Sequence, residues 1–184
     1  MDEEKVISGQ NEEIVWQQIE SDFKIDPLPL QYHVVLEQDG QRILLDMHDN
    51  HAVGFEASAS TELSAYIYNR NGFKFAIHKE GFVDEIGKFL GMQDYVLGYK
   101  DFDDTFVIKT NDEQKVNLLF ADGAIREALM AYPDLTFGIV EYLMEESDGK
   151  IPFLELCIKK SVTDTNALRS LYTAFRSVLL AVEK

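Results

Sequence analysis

Apolar side chains recur at helical spacing near the start of the chain. Val15, Trp16, Ile19 and Phe23 follow one another at intervals of one, three and four positions, and acidic and amide side chains lie between them. This spacing predicts an amphipathic helix of about three turns. The prolines at positions 27 and 29 end it, because proline has no backbone N–H and restricts the residue before it.

A longer stripe of apolar residues at helical spacing lies in the last twenty or so residues of the sequence. Thr163 or Asp164 can cap a helix whose apolar positions repeat every three or four residues, at Leu168, Leu171, Tyr172, Phe175, Val178, Leu179 and Val182. So regular a stripe must be buried. A sheet of the same chain is the first candidate for the surface that buries it, and a second copy in a homodimer is the other.

Three two-residue turns with glycine predict antiparallel hairpins, namely Asp39-Gly40, Asn71-Gly72 and Asp148-Gly149. Glycine adopts the positive φ that such turns require, and asparagine and aspartate tolerate it. The predicted strand pairs are Tyr32 to Glu37 with Arg42 to Met47, Glu62 to Asn69 with Phe73 to His78, and Leu135 to Glu145 with Ile151 to Lys159.

The middle of the chain adds shorter elements. Strands are predicted at Val53 to Ala57 and at Thr105 to Lys109, and a short helix at Val83 to Leu90. Thr110 and Glu113 have the spacing of a capping box, so a further helix should begin there and end before the proline at position 133.

This order predicts an α+β fold, in which an antiparallel β-sheet of hairpins carries N-terminal, middle and C-terminal helices packed on one face. One domain over residues 1–184 is expected. Residues 1–11 have no apolar stripe and should be frayed, and a join between two subdomains is expected near residues 91–101.

Composition narrows the class of protein. Apolar residues make up 46% of the chain, and charges interrupt every apolar stretch before it reaches membrane-spanning length. The N-terminal sequence Met-Asp-Glu-Glu-Lys is acidic, unlike a signal peptide. Cys157 is the only cysteine and is expected to be a small core residue. A soluble cytoplasmic protein without membrane insertion is the prediction.

The net charge of −16 affects which classes of partner the protein can bind. A phosphate backbone would be repelled, so nucleic acid is not an expected partner. A protein or peptide partner is expected instead, and a basic one would complement the charge.

One cluster has side chains that suit a metal ion: Asp46, His48, Asp49 and His51. Imidazole nitrogen and carboxylate oxygen both ligate zinc. The second half of a metal pattern is missing, however, and a polar turn between strands accounts for the same residues. We therefore predict no metal and no cofactor.

Motifs of enzymes are absent from the sequence. It contains no phosphate-binding glycine loop, no Gly-x-Ser-x-Gly and no His-Glu-x-x-His. His33 and His78 are expected to be packed strand residues. The prediction is a non-enzymatic binding or regulatory domain that recognises a protein or peptide.

Two alternatives stay open. One is a small-molecule binding protein with an apolar pocket between the sheet and the C-terminal helix, lined by Tyr66, Tyr68, Phe73, Phe75 and Phe106. The other is a hydrolase-type enzyme without a recognisable motif.

The segment from Phe102 to Asp112, with the sequence FDDTFVIKTND and an amphipathic helix after it, resembles a segment of uncharacterised bacterial proteins of unknown function. The resemblance covers at most the last 80 residues and implies a bacterial origin, without a known catalytic residue. At the level of fold, the chain is also similar to the acidic chaperones of bacterial type III secretion, which are small, acidic, α+β and dimeric.

Overall fold

The computed structural model describes residues 5–50, 58–68, 71–81, 91–143 and 149–184. Five helices lie in these ranges: α1 (Glu12–Ile25), α2 (Lys100–Thr105), α3 (Glu113–Leu119), α4 (Gly123–Met130) and α5 (Thr165–Val182). Nine strands lie there too: β1 (Lys5–Ser8), β2 (Gln31–Gln38), β3 (Gln41–Asn50), β4 (Ser58–Tyr66), β5 (Phe75–His78), β6 (Gln93–Tyr95), β7 (Val107–Thr110), β8 (Thr136–Leu143) and β9 (Lys150–Ile158). The α+β prediction is confirmed.

The described strands form one sheet in the order β1-β2-β3-β4-β9-β8-β5-β7-β6. β1 and β2 are parallel, and the other neighbouring pairs are antiparallel. The expectation of a frayed N-terminus is wrong for β1, where Ile7 pairs with Leu36 and is buried. Four residues are too few to show a pattern in the sequence.

Alternation along the central strands gives the sheet two different faces. On β3, Ile43, Leu45 and Met47 are buried, whereas Leu44 and Asp46 between them are half-buried. β4 and the second half of β9 follow the same period of two. We call the face with the buried residues the helix face and the opposite one the open face.

All five described helices pack on the helix face. The N-cap Asn11 accepts a hydrogen bond from the Ile14 N–H at the start of α1, and Ile125 and Leu129 bring α4 into the common core. Aromatic contacts join the other helices to each other and to the sheet, through the pairs Trp16–Tyr172, Phe137–Phe175, Phe75–Phe120 and Phe102–Phe120. The predicted one-sided arrangement is therefore found.

The C-terminal helix is buried within a single chain. Asp164 caps α5 by accepting from the Ala167 N–H at 2.8 Å. The predicted stripe is buried along its whole length, with Leu171 and Phe175 fully inaccessible. Burying each such side chain contributes about 1.5–3 kcal/mol. The stripe therefore needs no second copy to cover it.

The turn predictions have different outcomes. Asp39 and Gly40 have φ values of 52° and 78°, and β2 and β3 pair as predicted. Gly72 has φ 75°, but β4 pairs with β3 and β9 rather than with β5. β8 and β9 pair as predicted, although Gly149 lies outside the positive-φ region.

The helix predicted from Thr110 onward is two helices. Asp112, not Thr110, caps α3 by accepting from the Lys115 N–H. The Thr110 hydroxyl instead accepts from the Asp112 N–H and donates to the Lys74 carbonyl. Asp122 then caps α4, because the chain turns before Gly123.

The strand predicted at Thr105 to Lys109 is shifted to β7, and α2 precedes it. The expected join at residues 91–101 contains β6, which pairs with β7 as part of the common sheet. The strand predicted at Val53 to Ala57 and the helix predicted at Val83 to Leu90 lie outside the described residues. No helix in the described ranges has the length and apolar character needed to cross a membrane.

Candidate functional site

The open face is not covered by any helix that the structure describes, since these helices pack on the opposite side. Its centre consists of half-buried side chains at alternate positions of β3, β4, β9 and β8: Leu44, Asp46, Glu62, Ser64, Tyr66, Phe153, Glu155, Cys157, Thr136 and Val140. Most of the polar residues of the central sheet thus lie on one surface.

Strand register places several of these groups in one row. His33 is paired with Asp46, Asp46 with Glu62, Glu62 with Cys157, and Cys157 with Thr136. Neighbouring strands lie about 4.8 Å apart. The row therefore crosses the open face with an acidic centre.

An aromatic cluster lies at one end of the same face, and we define it as Tyr66, Tyr68, Tyr142 and Phe153. The ring centroids are 4.6 Å apart for Tyr66 and Tyr68, 5.8 Å for Tyr66 and Phe153, and 5.7 Å for Tyr142 and Phe153. Tyr68 is 65% exposed and Tyr142 is 41% exposed. The cluster thus presents aromatic surface to solvent.

A shallow depression of about 240 Å³ lies beside the aromatic cluster. Ala76 and Gly138 contribute small residues to its lining, and the polar side chains around it are those of Glu62, Asp134, Thr136, Tyr142, Glu155, Cys157 and Lys159. A Cβ on Gly138 would lie 2.6 Å from the Phe75 carbonyl oxygen. Only glycine allows β5 and β8 to approach so closely.

Negative charge predominates around the depression. Glu62, Asp134 and Glu155 supply three carboxylates, and Lys159 supplies an ammonium group. The Tyr142 hydroxyl donates a hydrogen bond of 2.7 Å to Oε1 of Glu155, which holds that carboxylate beside the aromatic cluster. Carboxylates next to aromatic rings suit a cationic group, because both attract positive charge.

A second cavity, of about 470 Å³, adjoins the depression at Asp134 and Lys159. We call it the lysine cavity, after Lys79, Lys159 and Lys160. Nζ of Lys79 lies 2.8 Å from Oδ1 of Asp134. Its apolar lining comes from Ala131, Tyr132, Pro133 and Ile158.

The five predicted ligand-binding residues are not brought together. Tyr66 and Tyr68 lie in the aromatic cluster on the open face. Phe73, Phe75 and Phe106 are buried on the helix face, where Phe73 stacks on Phe75. A cavity of about 180 Å³ near the end of α5 contains Phe73 but none of the other four.

The candidate metal ligands are divided in the same way. Oδ2 of Asp46 lies 2.9 Å from Nδ1 of His33, and Oδ1 lies 2.8 Å from Nε2 of His48. Asp49 alternates with these residues onto the other face, and His51 lies outside the described residues. Within the described part of the chain, no three His, Cys, Asp or Glu side chains form a group that could hold a metal ion.

The remaining candidates for catalytic residues, Cys157, His33 and His78, do not lie close to one another. Cys157 was expected in the core but lies half-buried on the open face. His33 is three strands away from it, or about 14 Å, so these two do not form a nucleophile–base pair. His78 is buried, and its Nδ1 lies 2.9 Å from the Lys79 carbonyl oxygen.

Sequence reasoning missed the acidic and basic members of the open face. The signal was present as two alternating series, Glu62-x-Ser64-x-Tyr66-x-Tyr68 and Phe153-x-Glu155-x-Cys157-x-Lys159. Either series marks one face of a strand. The two series lie side by side because β4 pairs with β9. A local sequence pattern does not predict which strands pair.

No family model matches the chain, and neither the curated proteins nor the solved structures with which it was compared include a match.

Proposed function

We propose that the protein is a non-enzymatic binding protein, and that it recognises an extended basic segment of a partner protein on the open face of its sheet. The observation that carries this proposal is the position of the solvent-exposed aromatic cluster beside the Glu155 carboxylate, next to a depression that Glu62 also lines. The cluster supplies apolar contact area, and the carboxylates supply a preference for positive charge.

Support comes first from the kind of side chain that is exposed. Tyrosine and phenylalanine give large contact areas with little loss of conformational entropy, and for this reason aromatic residues are frequent at binding surfaces. Tyr68 is 65% exposed and packs on Tyr66 with its ring perpendicular. A partner side chain can therefore contact it without a rearrangement of the core.

Support comes second from charge. The chain carries a net charge of −16, so a basic segment is attracted from a distance. Locally, the guanidinium group of an arginine fits both a carboxylate and the face of an aromatic ring. Glu155, Tyr142 and Phe153 offer these two features within one stretch of the sheet.

The test uses two fluorescein-labelled peptides that differ only in charge. The first is Phe-Ala-Arg-Ala-Arg-Ala-Ala with an amidated C-terminus, and the second has glutamate in place of both arginines. Fluorescence anisotropy should show saturable binding of the arginine peptide and no binding of the glutamate peptide. Added salt should weaken the binding, because the charges lie at the surface.

The site is tested with the double variant Tyr68→Ala, Tyr142→Ala, which should weaken binding of the arginine peptide about tenfold. Leu118→Ala is the matched control, since Leu118 is 77% exposed on α3, behind the helix face. Equal binding of the two peptides, or unchanged binding by the tyrosine double variant, would contradict the proposal.

A further inference from the structure

The lysine cavity is an exception within an acidic protein. The chain has 17 basic against 33 acidic residues, and Lys159 and Lys160 are its only two adjacent basic residues. They border one cavity with Lys79. Asp134 offsets part of the charge, since Lys79 pairs with it at 2.8 Å. Three ammonium groups and one carboxylate therefore line the cavity.

Lys160 makes no ion pair with any described residue; its Nζ lies over the Tyr132 ring, 5.5 Å from the centroid. This leaves its donors directed at an aromatic side chain rather than at a carboxylate. With Ala131, Pro133 and Ile158 nearby, the cavity combines apolar contacts with ammonium donors. That combination suits a carboxylate or phosphate group carried by a larger ligand.

The net charge of −16 favours an anionic group that is part of a larger ligand over a free small anion. A free small anion is repelled by the molecule as a whole. An anion that belongs to a ligand already bound nearby has a high effective concentration, which outweighs the repulsion. The open face adjoins the cavity, because Asp134 and Lys159 line both the cavity and the depression.

We infer that the lysine cavity binds the C-terminal carboxylate of the segment that lies on the open face. This inference rests on the function proposed above and specifies its ligand. The segment would end at the lysine cavity, with its carboxylate paired to the ammonium groups of Lys159 and Lys160. Its basic side chains would lie over Glu62 and Glu155.

The geometry of β9 sets the spacing of the recognised groups. Phe153, Glu155 and Cys157 alternate on one face of β9, and Lys159 directly follows the strand and lines the same depression as Glu155 and Cys157. At about 3.3 Å per residue, Glu155 is roughly 13 Å and Phe153 roughly 20 Å from Lys159. An extended ligand should thus carry basic residues two and four positions before its last residue, and an apolar residue six positions before it.

The peptide Phe-Ala-Arg-Ala-Arg-Ala-Ala has this spacing, and the test compares it with a free carboxylate and with an amide at its C-terminus. We expect the free acid to bind wild-type protein about tenfold more tightly than the amide, because a charged hydrogen-bonded pair is added. Anisotropy measures both affinities under the same conditions.

The double variant Lys159→Gln, Lys160→Gln should remove the preference for the acid and leave binding of the amide unchanged or stronger. Its control is Lys24→Gln, Lys100→Gln, which changes the net charge equally on α1 and α2 and should keep the preference. Loss of the preference in the control as well would show a general charge effect and would overturn the inference.

Two further outcomes also overturn it. Equal affinity for acid and amide, with binding that still depends on Tyr68 and Tyr142, would reject the carboxylate site and leave the proposed function in place. Displacement of the acid preference by millimolar inorganic phosphate would show that the cavity takes free anions. Failure of both peptides to bind would instead reject the proposed function itself.

Discussion

Arg126 and Tyr99 connect α4 to the segment that precedes α2: the guanidinium carbon of Arg126 lies 3.5 Å from the centre of the Tyr99 ring. The same guanidinium donates to the carbonyl oxygens of Phe120 and Ala121, where α3 ends. One side chain thus joins three helices at the edge of the core.

Replacing Arg126 with glutamine should destabilise the protein by about 1–3 kcal/mol, because the stacking contact is lost and the helix-end carbonyls lose a charged donor. Urea unfolding followed by circular dichroism measures the change. Lys24→Gln, a loss of the same charge on α1, should shift stability by no more than about 0.5 kcal/mol. Equal stabilities of the two variants would refute the connecting role of Arg126.

Gly138→Ala should cost about 1–3 kcal/mol through overpacking. The new Cβ would lie 2.6 Å from the Phe75 carbonyl oxygen and 3.0 Å from the Ala76 Cα, both of which belong to the backbone of β5. Gly149→Ala is the control, because nothing lies within 4 Å of the corresponding Cβ. Unfolding midpoints in urea compare the two, and an unchanged midpoint for Gly138→Ala would be evidence against the close approach of β5 and β8.

Truncating Phe175 tests the single-chain burial of α5. Phe175→Ala should cost about 3–5 kcal/mol by leaving a cavity beside Phe137. Ser177→Ala, on the exposed side of the same helix, should have little effect. If Phe175→Ala kept the wild-type melting temperature but halved the mass in light scattering, the stripe would be a dimer interface instead.

The stability at acidic pH should depend on Glu141. Its hydrogen bond with Lys74 and the charges of Lys74 and Lys150 lower the pKa of the Glu141 carboxyl below its ordinary value, against an opposing effect of burial. A pKa that is lower in the folded state adds stability above the unfolded pKa, and this stability is lost as pH falls through the folded value.

Between pH 6 and pH 3, the wild-type protein should therefore lose more unfolding free energy than Glu141→Gln does. Urea titrations across this range measure the difference. Glu127→Gln, on the exposed side of α4 and without an ion pair to a described residue, should lose as much as wild type. A parallel loss in Glu141→Gln would show that the Lys74 contact does not contribute.

The helices at the two ends of the chain could be predicted because their patterns are local. Val15 and Phe23 lie within one helix, and Asp164 caps the helix that contains Phe175, so local periodicity and one capping residue suffice. The turn at Gly72 shows the limit of such rules. Its positive φ was predicted correctly, yet the strands on either side bind other partners, because partner choice depends on the whole sheet.

The candidate site could be predicted only in fragments for the same reason. Tyr66 and Tyr68 were identified as ligand-binding candidates, but they were grouped with the phenylalanines of the core. Tyr66 contacts Phe153, which in turn contacts Tyr142, and both of these residues belong to strands far along the chain. The register of β4, β9 and β8 decides which side chains meet, and that register follows from long-range packing.

The pairing of β4 with β9 also has a consequence for how the chain is made. The Thr61 hydroxyl donates to the Lys160 carbonyl across 99 positions of sequence, so one edge of β4 stays unpaired until β9, which is synthesised much later, has left the ribosome. Contacts at such separation form slowly, and an unpaired edge can bind other nascent chains. Pulse-labelling hydrogen exchange should find the β4 amides that face β9 protected later than those that face β3; simultaneous protection would argue against this order of assembly.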